Sequence, residues 1–178
     1  MKFALQAAML VLLGPTFTGC HSVSASLMVP KEVSITRTIG GSARVIASGS
    51  SRQALLGPSV IGEESLQAAI TEALLACGMF DEVTESPPSQ HLLVVTVEEF
   101  VEPELGFDST CEVTMRWTLK GRDGASTYWT RSIKTGATIT SYEEMDSTVR
   151  PQLVIEKAVR NNLTEGIKAL SAWAPQTP

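Results

Sequence analysis

With 178 residues, 43% of them hydrophobic and 19% charged, the chain has the length of one compact domain and a globular composition, which excludes wholesale disorder. Fourteen Lys and Arg against 19 Asp and Glu give a net charge of −5, and no polybasic cluster occurs. The surface therefore offers neither nucleic acid nor an anionic membrane an electrostatic hold.

Met1-Lys2 is a short basic start, and the stretch Phe3 to Leu13 (FALQAAMLVLL) is apolar except for Gln6 before Gly14-Pro15 ends it. This is the layout of a secretory signal, and it is too short to span a bilayer, which takes roughly 20 apolar residues. The leader closes on Phe17-Thr18-Gly19-Cys20, which resembles the lipobox of bacterial lipoproteins: an apolar residue, two small residues and the cysteine that is modified. Phe17 stands where leucine is usual, while the cleaved and modified pair Gly19-Cys20 is intact. The resemblance implies that residues 1–19 are removed as a signal peptide, that the Cys20 thiol receives a diacylglyceryl group, and that the new amino terminus is acylated with a fatty acid such as palmitate. His21-Ser22 lacks the aspartate that often retains this family at the inner membrane, so the resemblance implies the periplasmic face of the cell outer membrane. Only Lys2 is lost with the leader among charged side chains, leaving 13 Lys and Arg against 19 acids.

Residues 20–31 are Ser-rich and without period, and read as a lipidated tether. Val33, Ile35 and Ile39 recur at even spacing around Arg37 and predict a first strand ended by Gly40-Gly41. The Gly- and Ser-rich stretch 42–62 reads as a long ordered loop, with a short strand near Val45 as an alternative. Glu63-Glu64 put negative charge at a helix start, Leu66, Ile70, Ala73, Leu74 and Cys77 make one face, and Gly78 suits a left-handed cap, which predicts a helix over 63–77. Pro87-Pro88 make 81–90 a connection. The β-branched run 91–101 predicts a central strand. Cys111, Val113, Met115, Trp117 and Leu119 alternate with polar residues as a strand with one wet face does. Arg122-Asp123-Gly124 is a hairpin turn and 127–139 the antiparallel return. Pro151 starts a closing helix to Trp173, with Ile155, Val159, Leu163, Ile167 and Leu170 as its apolar stripe. The sum is an α+β domain over 32–174, two amphipathic helices on one face of a mostly antiparallel sheet of about four strands, with 175–178 as a tail.

Motifs with chemistry are scarce. The two histidines, His21 and His91, have no partner in sequence, and no HExxH, CxxC, GxSxG, GxGxxG or phosphate-loop pattern occurs, so no cofactor, metal or catalytic residue is assigned. Glu98, Glu99, Glu102, Glu104 and Asp108 gather around one turn but lack calcium-loop spacing, so they read as solvated acids. Cys77 and Cys111 both fall on predicted core faces. In an oxidising compartment a disulfide, worth about 3 to 4 kcal/mol, is one reading, and buried free thiols the other. Trp117, Tyr128 and Trp129 lie on the hairpin strands as an aromatic platform for a ligand or as cross-strand packing.

Three phrases, LQAAITEALLACGMF at 66–80, EPELGFDSTCEVTMRWTL at 102–119 and IEKAVRNNLTEGIKAL at 155–170, resemble a family of small bacterial outer-membrane lipoproteins of mostly unknown function. The order of elements is also similar to lipoproteins of the YajG type and to the lipopolysaccharide-assembly lipoprotein. The resemblance implies two helices on a mostly antiparallel sheet and carries over no catalytic residue. The expectation is a lipid-anchored, non-catalytic accessory that binds an envelope protein or lipopolysaccharide. A small-molecule or lipid binder with a pocket between helices and sheet is the alternative, and a hydrolase with a dispersed site stands third.

Overall fold

The computed structural model describes residues 23–49, 61–103 and 106–175. The expected signal peptide and the lipidation site expected at Cys20 lie outside them.

The described chain runs α1 (Ala25–Met28), β1 (Ser42–Ser48), α2 (Glu63–Cys77), β2 (Glu82–Thr84), β3 (His91–Val101), β4 (Asp108–Gly121), β5 (Thr127–Thr140) and α3 (Arg150–Trp173). One sheet forms in the order β2-β1-β3-β4-β5. β1 pairs in parallel with both β2 and β3, because a helical crossover through α2 returns the chain in the same direction, while β3, β4 and β5 form an antiparallel meander. The class is α+β as expected, but the sheet is mixed and five-stranded, and the described helices number three.

The periodic segments form where their patterns put them. α2 covers the expected residues, and Gly78 closes it at φ 66° with its N–H donated to Leu74 and Leu75 carbonyls. In the β4–β5 turn, the Asp123 Oδ1 accepts from the Ala125 and Ser126 N–H groups, and Gly124 takes φ 67°. The α3 stripe of Ile155, Val159, Leu163, Ile167 and Leu170 is fully buried against Leu93, Val113, Met115, Trp117 and Leu119 of the sheet.

Three expectations are corrected. The stretch around Val33, Ile35 and Ile39 is no strand: the Thr36 and Arg37 N–H groups donate to Ser171 Oγ at 2.8 Å, and the Arg37 guanidinium reaches Ala174 O, so it lies across the end of α3. An extended segment with one side against helices shows the same even spacing as a strand. The first strand is 42–48, the alternative that the sequence left open near Val45, where Ala43, Val45 and Ala47 are buried between flanking glycines and serines, while the main reading of 42–48 as loop is corrected. The expected tether is packed from Val23 onward: Val23 and Met28 are buried, Ser24 N–H donates to Glu156 Oε1 at 2.9 Å, and Leu27 O accepts from Arg160 Nε at 2.8 Å. Two apolar side chains in a Ser-rich run suffice to hold it because α3 supplies the polar partners.

Both helices cover one sheet face. The other is bare: over β3, β4 and β5 it is largely polar, with Thr110–Thr138 and Thr118–Thr130 hydroxyls paired at 3.0 Å, a Lys134–Glu112 ion pair at 2.8 Å and Glu98 between Arg116 and Ser132, and exposed Ile46 beside Val94 is apolar at β1. Such exposed cross-strand pairs contribute about 0.2–1 kcal/mol each.

Candidate functional site

The cysteines do not form a disulfide. No Cα of α2 lies within 8 Å of a Cα of β4, whereas a disulfide needs its Cα atoms within about 7 Å. Both thiols are free. Cys77 Sγ donates to Leu74 O at 3.4 Å, the local bond open to a thiol in the last turn of a helix. Burial, reinforced by the Glu112 carboxylate, pushes the Cys111 thiol up to about 12, and burial also raises that of Cys77. Because the thiolate is the nucleophile, iodoacetamide at pH 8 is expected to leave Cys111 unmodified until the protein unfolds, when both thiols alkylate without prior reduction. Mass counting of the adducts checks this, and a reductant requirement would contradict it.

The aromatic platform does not assemble. Strand alternation sends Trp117 and Trp129 to the helix face, where Trp117 is fully buried with its Nε1–H on Asn162 Oδ1 at 3.1 Å, and Trp129 packs 6.4 Å from Trp173 between ring centroids. Tyr128 sits at the register shift after Leu119, half exposed, and faces His91 edge-on at 6.3 Å. Phe80 closes on the other side of His91 at 5.7 Å.

The Nδ1 of His91 is buried without a partner, and burial holds the imidazole below its usual 6.5. The unfolded imidazole binds its proton near pH 6.5 and the folded one only at lower pH. This contribution to stability is whole above that value and falls away as the pH drops from it toward the folded pKa. A His91→Gln variant is expected to lack that part of the decline, measured by urea unfolding at a series of pH values. An unchanged decline would contradict it.

The acidic residues disperse. Glu98 and Glu99, at a shift in the β3–β4 register, serve Arg116, Ser132 and Thr114 on the open face, and Glu104 lies outside the described residues. Among the described residues no three His, Cys, Asp or Glu gather as a metal site, and no helix is long and apolar enough to cross a membrane.

Among the described residues, two of the concave surfaces lie beside the two edges of the sheet. β2 pairs only with Ser42–Arg44, so among the described residues no strand pairs with β1 on that side from Val45 onward, and a groove of about 640 Å³ opens beside it along α2, with Val45, Ala68, Leu75 and Ala76 as apolar lining. At the other end β5 is a 14-residue edge strand along α3. Lys157 Nζ donates to Thr138 O, Asn161 Nδ2 to Gly136 O and Asn162 Nδ2 to Ile133 O. Among the described residues no α3 side chain bonds to the backbone of 127–132. A groove of about 440 Å³ opens beside that half, lined by Arg131, Ser132, Lys134, Glu165 and Lys168. An uncovered edge next to a helix can accept an extended chain through main-chain hydrogen bonds, with the groove taking its side chains. Sequence reading allowed a pocket between helices and sheet but named none of these lining residues, because each groove joins a strand to a helix that is separate along the chain.

No family model matches the sequence, and a search of curated proteins gives no match. Among solved structures, the chain is similar to protein XCC0632 from Xanthomonas campestris, of the DUF330 family, at 12% identity and a TM-score of 0.59, covering 82% of this chain and 91% of that one. It is also similar to the hypothetical protein CT253 from Chlamydia trachomatis, at 7% identity and a TM-score of 0.51 over 79% and 99% of the two chains. Rare lipoprotein B from Shewanella oneidensis gives 6% identity and a TM-score of 0.48 over 74% and 94%. At such identities the first two likenesses show a shared fold.

Proposed function

We propose that the mature chain is a non-catalytic lipoprotein, held by acyl groups on Cys20 at the periplasmic face of the outer membrane, that binds an envelope component along the open half of β5. The observation that carries the anchor is the apolar leader running into Phe17-Thr18-Gly19-Cys20. The 440 Å³ groove beside an uncovered edge supports the binding role; with Lys134 paired to Glu112 and Lys168 to Glu165, Arg131 is the lining cation that favours an acidic extended segment or the phosphates of lipopolysaccharide. A photo-crosslinking residue at Ser132 of the full lipidated chain is expected to give one recurring adduct in intact cells, of an envelope protein or lipopolysaccharide, that the same residue at exposed Lys31 does not. Identical adduct patterns at the two positions would overturn the binding role.

The groove along α2 favours a second reading, a carrier of a small apolar molecule. Native mass spectrometry of the Cys20→Ala chain separates the two: a bound mass that disappears on Ala68→Glu supports the carrier.

A further inference from the structure

The exposed large apolar side chains are not scattered evenly. Phe107, Tyr142 and Met145 are 88%, 98% and 87% exposed, and they sit at one pole of the molecule. Phe107 and Tyr142 flank the Asp108–Thr140 pair that ends the β4–β5 ladder, and Met145 lies in the following connection to α3. The Arg150 guanidinium, in the first turn of α3, binds the Gly106 and Phe107 carbonyls and ties the turn before β4 to the start of that helix.

The amino-terminal segment leads to the same pole. α1 runs parallel to α3, with Leu27 bonded at Arg160 and Ser24 at Glu156. Followed backward, the chain therefore travels toward the amino-terminal end of α3. Cys20 is three residues before Val23, a reach of at most about 10 Å at roughly 3.5 Å per residue. An acyl chain on Cys20 holds that atom at the boundary between hydrocarbon and headgroups, so a pole this close to it meets the bilayer.

We infer that the pole formed by Phe107, Tyr142 and Met145 is a membrane-contact surface that rests on neutral lipid headgroups beside the Cys20 anchor. This rests on the lipoprotein reading given above. Aromatic rings suit the interfacial region, and side chains on loop tips enter it without exposing a groove or a strand edge to lipid. Glu102, Asp108, Glu143, Glu144 and Asp146 adjoin the cluster along the chain, Lys157 pairs with Glu143, and the Arg150 guanidinium is spent on carbonyls, which leaves the pole net acidic. This charge selects against anionic headgroups and in favour of zwitterionic ones. The β4–β5 turn at Arg122-Asp123-Gly124 then points into the aqueous space.

The test uses the full mature chain, purified from membranes and reconstituted in phosphatidylcholine vesicles with brominated acyl chains. Tyr142→Trp and, at the far pole, Arg122→Trp each add one indole, whose emission is read above that of the parent's own tryptophans. The expected result is quenching several-fold stronger for Tyr142→Trp than for Arg122→Trp, together with an acylated Cys20 in the mass of the same sample. Equal quenching with Cys20 acylated overturns the contact surface and leaves the anchor standing. An unmodified Cys20 overturns both.

Discussion

A Gly166→Ala substitution is expected to destabilise the protein by about 2–5 kcal/mol, the reverse of its usual sign in a helix, where alanine is favoured by about 1 kcal/mol. Gly166 lies inside α3, and an added Cβ would stand 2.3 Å from Trp117 Cε2 and Cζ2. No side chain sits that close. Either the helix lifts from the sheet or the indole swings away, and the second route breaks the Trp117–Asn162 bond and strands a buried amide oxygen. Urea unfolding reads the loss as a lower midpoint at unchanged slope. Trp117→Leu opens the space, so the double variant is expected to be more stable than the sum of the two single changes predicts. Additive losses would mean that Gly166 and Trp117 do not oppose each other. Gly78→Ala is the control: nothing lies within 4 Å of its added Cβ, so it carries only the left-handed backbone cost of about 1–2 kcal/mol.

Cys20→Ala is expected to move the exported protein from the membrane fraction to the soluble one almost completely. On the proposed lipoprotein reading the mature chain keeps 13 basic and 19 acidic side chains, which give no electrostatic hold on a membrane, and acyl chains on Cys20 would carry the attachment at about 0.8 kcal/mol per buried CH₂. The apolar pole adds only three side chains. Fractionation of cells expressing each form reads the outcome, and unchanged membrane residence of Cys20→Ala would place the hold elsewhere. Because burial of Val23 and Met28 belongs to the folded body, the released chain is expected to keep its unfolding midpoint.

The legible parts of the fold are those whose burial has a period. α2, β3, β4, β5 and α3 are runs of 11 to 24 residues in which every second, or every third and fourth, side chain turns toward the core, and the sequence exposes that rhythm directly. β1 is legible only as an alternative near Val45, because Ala43, Val45 and Ala47 are small and its partners are remote parallel strands, so neither turn chemistry nor a hairpin announces it. β2 is three residues long and exists only because β1 offers an edge. Residues 31–41 show the converse error, since even spacing reports an extended backbone with one buried side and not its hydrogen-bond partner, which here is Ser171.

The site divides along the same line. The proposed lipidation signal is a linear motif, so Cys20 stands out in the sequence before any folding. The β5–α3 groove and the apolar pole arise only when 106–107, 131–134, 142–145 and 160–168 are brought together by the meander and its closing helix. Gly166 and Asn162, which seat the core tryptophan, carry no local signal beyond an ordinary helical position. Polar residues such as Glu156 and Ser171 also look like solvent-facing helix positions until the amino-terminal segment covers them.

The anchor is tested most directly by the mass of the amino-terminal peptide of the mature protein taken from cells. The account predicts that the peptide begins at Cys20 and carries a diacylglyceryl group on sulfur, with a further acyl chain on its nitrogen where the cell adds one. A peptide that begins elsewhere, or a Cys20 whose sulfur carries nothing, would contradict it.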